Sequence, residues 1–211
     1  MNEQEHYFTA DPASAQQRRE LAVDLVGRRV TVETAPGVFC PDRLDLGTSV
    51  LLREVPDPPE HGDLLDLGCG WGPVTLTLAT LSPEATVWGV DVNRRALDLT
   101  ARNAARLALE NVRTSEPDDV PGDLRFGTIW SNPPIRVGKA VLHDMLLQWL
   151  PRLLPGGTAY LVVQKNLGAD SLHAWLGGTL GSRFATSRLA SAKGFRVLAV
   201  HHHLAPDEEP A

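Results

Sequence analysis

The spacing of hydrophobic and polar residues changes repeatedly between a strand period and a helix period after residue 60. Short apolar runs rich in β-branched residues predict strands, and longer stretches with apolar residues three or four positions apart predict helices. The predicted strands cover residues 63–67, 86–91, 111–115, 125–131, 157–164, 183–190 and 194–203. The predicted helices cover residues 73–82, 93–109, 138–153 and 169–179. This alternation predicts an α/β fold with a seven-stranded, mostly parallel sheet, helices on both faces and an antiparallel last strand.

The N-terminal region has a helical pattern of its own. Leu21, Leu25 and Val26 lie at helical spacing, Ser14 is a suitable N-cap, and Gly27 is typical of a helix C-terminus. We therefore expect a first helix between Ser14 and Gly27.

A short extension and one main domain are expected. Strand patterns at 29–34 and 38–40 flank a predicted hairpin turn, and a further helix begins near Asp45. Residues 1–55 would thus form an extension packed on a main domain of residues 56–205. The acidic, proline-containing tail of residues 206–211 is expected to be disordered.

A buried strand leads directly into a glycine-rich turn. The segment LLDLGCGWG covers residues 64–72, and Pro73 suits the first position of a helix. Glycines let a ligand approach the backbone where a Cβ atom would collide. The next predicted strand ends in Asp91, whose carboxylate is suited to accept hydrogen bonds from both hydroxyls of a ribose. These features predict a nucleoside-containing cofactor.

The glycine spacing favours one cofactor class over another. A dinucleotide site would place its third glycine one residue later than Gly72, where Pro73 stands. S-adenosylmethionine has no pyrophosphate, and Asp66 supplies a negative charge for its sulfonium and amino groups. A glycine turn that binds no ligand remains the alternative interpretation.

A second polar turn follows the fourth predicted strand. In the segment SNPPIR, residues 131–136, an amide and two prolines lie at the carboxyl edge of the sheet, where open α/β folds bind ligands. The side-chain oxygen of Asn132 and the carbonyl of Pro133 could orient an exocyclic amine for methylation. We therefore expect Asn132, Pro133 and Pro134 to form the catalytic turn, acting mainly by positioning.

Composition restricts the class of protein. Hydrophobic residues make up 43% of the 211 residues and charged residues 22%, with a net charge of -6. No apolar run is long enough to span a bilayer, and the polar N-terminus is unlike a signal peptide, so we expect a cytoplasmic protein without membrane contact. The acidic balance argues against binding of nucleic acid through overall charge, but a local basic face stays possible.

No metal site is expected. Cys40 and Cys69 are too few for a zinc cluster or a disulfide framework. Adjacent residues on a strand point to opposite faces, so His201, His202 and His203 cannot all bind one ion.

Several motifs together resemble a known family. LDLGCGWG, VWGVDVN and SNPPIR resemble class I S-adenosylmethionine-dependent methyltransferases, and more narrowly the small-domain group that includes ribosomal RNA guanine-N2 methyltransferases. HYF near the N-terminus, GVFCPDRLDLGT, the GK after SNPPIR, and KGFRVL are also similar. The resemblance implies a Rossmann-like fold, S-adenosylmethionine as cofactor, and methylation of an exocyclic amine in RNA, most directly N2 of a guanine in ribosomal RNA or a ribosomal particle.

The resemblance also implies a set of cofactor residues. The acid after the third strand normally meets the adenine amino group, and Glu116-Pro117 occupies that place here. Asp45 and Thr48 would lie near the cofactor carboxylate, although simple N-capping explains them equally well. The implied cofactor residues are Thr48, Asp66, Gly68, Cys69, Gly70, Gly72, Asp91, Val92, Asn93, Glu116, Pro117 and Asn132.

The substrate residues are expected on both sides of the catalytic turn. Many relatives carry an aromatic residue where this chain has Ile135, so stacking on a flipped base would come from elsewhere, such as His6, Tyr7 or Phe8. Arg136 and Lys139 are positioned to meet phosphates. The expected substrate-binding residues are Tyr7, Phe8, Ile135, Arg136 and Lys139.

Two other functional hypotheses stay open at this point. The Asn-Pro-Pro turn also suits adenine N6, a protein glutamine amide or a small-molecule acceptor. A non-catalytic module that retained the cofactor pocket is a different class, and the intact Asp66, Asp91 and Asn132 argue against it.

Overall fold

A computed structural model describes residues 17–204, and its centre is a seven-stranded sheet. Within residues 17–204 the strands are β1 (Arg19–Leu25), β2 (Arg28–Thr34), β3 (His61–Leu67), β4 (Glu84–Val90), β5 (Val112–Ser115), β6 (Phe126–Ser131), β7 (Leu153–Gln164), β8 (Phe184–Ala192) and β9 (Phe195–His202). The large sheet has the order β5-β4-β3-β6-β7-β9-β8, while β1 and β2 form a separate hairpin. β3 to β7 pair in parallel, and β9 is antiparallel to both of its neighbours. The predicted seven-stranded fold is confirmed, including its antiparallel last strand.

Helices cover both faces of the sheet. They are α1 (Leu46–Glu54), α2 (Pro73–Leu81), α3 (Arg94–Arg106), α4 (Lys139–Trp149) and α5 (Ala169–Thr179). Alternate residues of β3 point to opposite faces, so Leu65 packs in the cluster that contains α4 and α5, whereas Leu64 packs with α1 and α2. None of the helices between residues 17 and 204 has the length and apolar character needed to cross a membrane.

The predicted first helix is wrong within the described residues. Residues 19–25 form β1, because Val23 and Leu25 are buried at alternate positions and the intervening Asp24 is exposed. Val26 and Gly27, with φ of 49° and 68°, make the two-residue turn into β2. Leu21 and Leu25 fit both a helical and a strand period, and pairing with β2 decides between them.

The predicted strand at 38–40 is also absent. These residues belong to an irregular segment, 36–41, which we call the strap. Asn93 Nδ2 donates to the Gly37 carbonyl oxygen at 2.7 Å, and Arg95 Nη1 donates to that of Pro36 at 2.6 Å. Side chains at the start of α3 therefore hold the strap in place of a strand partner.

The proposed extension packs closely on the sheet domain. Val23 and Val32 of the hairpin share a buried cluster with Trp71 and Leu99, and Val50 of α1 is fully buried. The boundary at residue 55 stays a proposal. The predicted disordered tail, 206–211, lies outside the described residues, as do His6, Tyr7 and Phe8.

Candidate active site

The glycine turn after β3 is shaped by positive φ angles. Gly68, Gly70 and Gly72 have φ of 84°, 58° and 97°. A Cβ atom added to Gly68 or Gly70 would meet no heavy atom within 4 Å beyond the adjoining residues, whereas one on Gly72 would lie 3.0 Å from Thr100 Oγ1. Gly68 and Gly70 thus leave open space beside the turn, and Gly72 is needed for packing against α3.

Asp66 places a carboxylate beneath this turn. Its side chain is 1% exposed, and Oδ2 accepts hydrogen bonds from the Thr75 backbone N–H at 2.8 Å and from Thr75 Oγ1 at 2.6 Å. Burial raises the pKa of Asp66 to about 7, although the Thr75 hydrogen bonds oppose that rise. A cation bound beside Asp66 would stabilise its charged form.

Asp91 joins the end of β4 to the glycine turn. Oδ2 accepts a hydrogen bond from the Gly70 N–H at 2.9 Å, and Oδ1 accepts one from the Asn93 N–H at 2.9 Å. Burial raises the pKa of this carboxyl as well. Each carboxylate oxygen retains capacity for a further donor, such as a ribose hydroxyl.

Asn132 is turned by two residues at the start of α1. Its Nδ2 donates to Asp45 Oδ2 at 2.9 Å and to Thr48 Oγ1 at 3.0 Å. A carboxylate only accepts hydrogen bonds, so the amide nitrogen must face Asp45 and the amide oxygen must point away from it. Among residues 17–204 no group donates to that oxygen.

Asp45 has two functions in this arrangement. Its Oδ2 also accepts a hydrogen bond from the Thr48 N–H at 3.0 Å, which caps the N-terminus of α1. The N-cap interpretation of Asp45 and Thr48 is confirmed. Both residues also line the site next to Asn132, so capping and site formation depend on the same carboxylate.

Two adjoining cavities bring most of these groups together. One contains Asp91, Asn93 and Pro133, the other contains Asp66 and Thr48, and both are lined by Phe39, Gly68, Gly70 and Asn132. Their volumes are about 50 and 20 Å³, well below the roughly 300 Å³ of a typical ligand pocket. A nucleoside-sized ligand therefore needs more room than the two cavities have here.

Phe39 and Thr75 were not among the sequence-predicted site residues. Phe39 is 37% exposed although it is a large aromatic residue, and it lies between two turn-forming stretches. An aromatic residue in a turn-rich stretch is a signal that the sequence itself carries. The hydroxyl of Thr75, one turn into α2, carried no comparable signal.

The remaining predicted cofactor residues lie in different surroundings. Cys69 lines one cavity and is buried, which raises the pKa of its thiol well above the usual value and opposes thiolate chemistry. Val92, Glu116 and Pro117 line neither of the two cavities. Glu116 instead accepts a hydrogen bond from Arg94 Nε at 2.8 Å. Their roles in binding the cofactor stay predictions.

The predicted substrate residues on the described chain lie next to the turn at Asn132. Pro133 and Pro134 line the first cavity, and Ile135, Arg136 and Lys139 line a separate cavity between α4 and α5. Tyr7 and Phe8 lie outside the described residues. Within residues 17–204 no three His, Cys, Asp or Glu side chains are grouped closely enough to hold a metal ion.

Known proteins share both the sequence pattern and the fold. Residues 29–199 match the family model described as methyltransferase small domain. Uncharacterized protein YbxB of Bacillus subtilis is 33% identical over 170 residues, covering 79% of this chain and 85% of that protein. Ribosomal RNA small subunit methyltransferase C of Hahella chejuensis is 39% identical over 142 residues, covering 64% of this chain but 40% of that protein.

A solved methyltransferase structure is similar to this chain in fold and in sequence. The T. thermophilus 16S rRNA N2 methyltransferase (RsmC), in complex with AdoMet and guanosine, is 26% identical with a TM-score of 0.77. The match covers 90% of this chain and 52% of that one, so the chain spans about half of this relative's length. Because the family match runs through the glycine turn, Asp91 and the Asn132 turn, the chain belongs to the methyltransferase small domain family.

Proposed function

We propose that this protein is an S-adenosylmethionine-dependent methyltransferase that methylates an exocyclic amine of a base in RNA, with N2 of a ribosomal RNA guanine as the favoured acceptor. One observation carries the proposal. The carboxamide of Asn132 is fixed by Asp45, and its oxygen has no donor in the described chain. The same side chain lines both cavities beside the glycine turn. The named activities of the two ribosomal RNA methyltransferase relatives support the choice of acceptor.

The residues around the cavities fit the cofactor in shape and charge. Gly68 and Gly70 leave the space that a Cβ atom would fill, and Asp91 is suited to the ribose. Asp45, Asp66 and Asp91 line the two cavities, and none of their described lining residues is Lys, Arg or His. This acidic lining suits a ligand that carries a sulfonium and an ammonium group. When bound, the cofactor supplies an electrophilic methyl group.

The chain's own contribution is to orient the acceptor amine. The lone pair of an sp² amine is delocalised into the ring, so it must be aligned before it can attack. The Asn132 oxygen accepts one N–H, and the Pro133 carbonyl, which already accepts the Ile135 N–H at 2.8 Å, has a second lone pair for another. Such alignment can supply up to about 7–11 kcal/mol of barrier reduction.

The substrate class is tested by methyl transfer to defined acceptors. Purified protein is incubated with methyl-labelled S-adenosylmethionine and ribosomal RNA that lacks its native methylation, and nucleosides are analysed by mass spectrometry. We expect label in N2-methylguanosine. Label in N6-methyladenosine, in a protein glutamine or in a small molecule alone would overturn the RNA guanine assignment while keeping the methyltransferase. No transfer to any acceptor, with cofactor bound, would favour a non-catalytic module.

A further inference from the structure

The cavity between α4 and α5 differs from the cofactor cavities in size and in charge. Its volume is about 460 Å³, within the range of ligand pockets. Arg136, Lys139 and His143 line it, and none of its described lining residues is acidic. Arg136 and Lys139 are exposed and form no ion pair within residues 17–204. In a chain with a net charge of -6, this is a local basic site.

The two sites meet at consecutive residues of the chain. Pro133 and Pro134 line a cofactor cavity, and Ile135, the next residue, lines the α4–α5 cavity. A chain of nucleotides whose target base reaches Asn132 would therefore bring an adjoining nucleotide to this second cavity.

An aromatic pair forms one side of the α4–α5 cavity. The rings of His143 and Trp175 stack with centroids 3.6 Å apart and an interplanar angle of 10°. Both side chains are partly exposed, while Leu142, Val163 and Leu172 provide a buried apolar floor. Aromatic side chains beside exposed basic residues are the usual means of binding unpaired bases and their phosphates.

We propose that the α4–α5 cavity binds a nucleotide next to the methylated one, with its base against the stacked pair of His143 and Trp175 and its phosphates near Arg136 and Lys139. This proposal rests on the proposed function, since it requires an RNA substrate. It assigns to α5 a role in substrate recognition and explains how an acidic protein holds RNA beside an acidic cofactor site.

The test compares variants in RNA binding, measured by fluorescence anisotropy with a labelled, unmethylated single-stranded RNA. Trp175→Leu keeps apolar packing without a stacking ring, and Trp175→Phe keeps a ring. We expect about tenfold weaker binding for Trp175→Leu and near wild-type binding for Trp175→Phe. Arg136→Gln combined with Lys139→Gln should reduce the salt dependence of binding by about 0.7 per lost phosphate contact.

Two controls distinguish failure of the α4–α5 nucleotide site from failure of the proposed RNA substrate. Arg113→Gln removes an exposed charge at the opposite edge of the sheet and should not change RNA affinity. In the described part of the chain, Arg113 bonds only to backbone carbonyls. S-adenosylmethionine affinity, measured by calorimetry, should be unchanged in every variant. Wild-type binding by Trp175→Leu, or ultraviolet crosslinks that avoid the peptide containing Trp175, would overturn the inference alone. A wild-type protein that binds the cofactor but no RNA would instead overturn the proposed RNA substrate.

Discussion

The side chains of Asn132 and Asp45, 87 positions apart in sequence, meet through a 2.9 Å hydrogen bond from Nδ2 to Oδ2. The contact links the end of β6 to the start of α1. It leaves the amide oxygen available to an acceptor amine, so the helix cap and the proposed catalytic group depend on each other.

Replacement of Asp45 by alanine should lower both the stability of the protein and its kcat. Asp45→Ala removes the cap and one of the two hydrogen-bond partners of Asn132, and should cost about 0.5–2 kcal/mol of unfolding free energy. Because only the Thr48 hydroxyl then holds the Asn132 amide, its orientation is less fixed, and kcat should fall about 10- to 100-fold. Asp45→Asn keeps an acceptor oxygen and a good helix cap, so both its stability and its kcat should stay close to those of the wild type. Urea denaturation and methyl-transfer rates at saturating substrates measure the two effects. An Asp45→Ala protein with wild-type kcat would contradict the positioning role.

Cofactor affinity should rise with pH between about 6 and 8. Burial raises the pKa of Asp66 to about 7, so a large share of the free protein is protonated there at neutral pH. A cationic ligand favours the carboxylate and lowers that pKa, so binding releases a proton and is weaker below pH 7, by up to about tenfold per pH unit. Calorimetry in buffers of different ionisation enthalpy detects the released proton. An affinity that is flat over this range, or rises towards acid, would argue against Asp66 beside the cation.

The stability of the folded protein should fall with pH over the range in which cofactor affinity rises. The folded-state pKa of Asp66 lies above its unfolded value, so its contribution to stability is full below about pH 4 and is lost as pH rises through about 7. Asp66→Asn should therefore show a smaller loss of stability between pH 5 and 8 than the wild type, while cofactor binding falls. Thermal denaturation across this range is the measurement. Parallel stability profiles for the two proteins would mean that Asp66 is not the titrating group.

Thr75→Val should move the pH dependence of binding. The hydroxyl of Thr75 donates to Asp66 Oδ2 at 2.6 Å and lowers the carboxyl pKa against the effect of burial. Valine has nearly the same shape but no donor, so the midpoint of the affinity curve should shift to higher pH. A midpoint that stays in place or shifts to lower pH would contradict this account of the Asp66 pKa.

Gly68→Ala and Gly62→Ala form a matched pair. Both glycines have similar positive φ, 84° and 86°, and a Cβ atom on either would meet no heavy atom within 4 Å beyond the adjoining residues. Each substitution should cost about 1–2 kcal/mol in backbone strain. Only Gly68 faces a cofactor cavity, so only Gly68→Ala should lose cofactor affinity in calorimetry. Equal affinities for the two variants would place the cofactor elsewhere.

Local signals account for what the sequence could predict. The strand, glycine turn and Asp91 are close in sequence, and parallel pairing of β3 with β4 brings their carboxyl ends together. The segment of β1 is predicted as a helix because Leu21 and Leu25 fit two periods, whereas the strand predicted at 29–34 is confirmed by β2. The orientation of Asn132 depends on Asp45, a contact between distant segments that no local pattern encodes. The same holds for the strap, which Asn93 fixes across 56 positions.

The most direct test of the account is single-turnover methyl transfer by the Asn132→Ala variant, with cofactor affinity measured on the same preparation. Asn132 aligns the acceptor, and its replacement leaves the glycine turn unchanged. The methyl-transfer rate of the variant should therefore fall by about 100-fold. The dissociation constant for S-adenosylmethionine should stay within about threefold of the wild type, a difference of less than about 0.7 kcal/mol. Transfer at the wild-type rate by this variant would contradict the central claim.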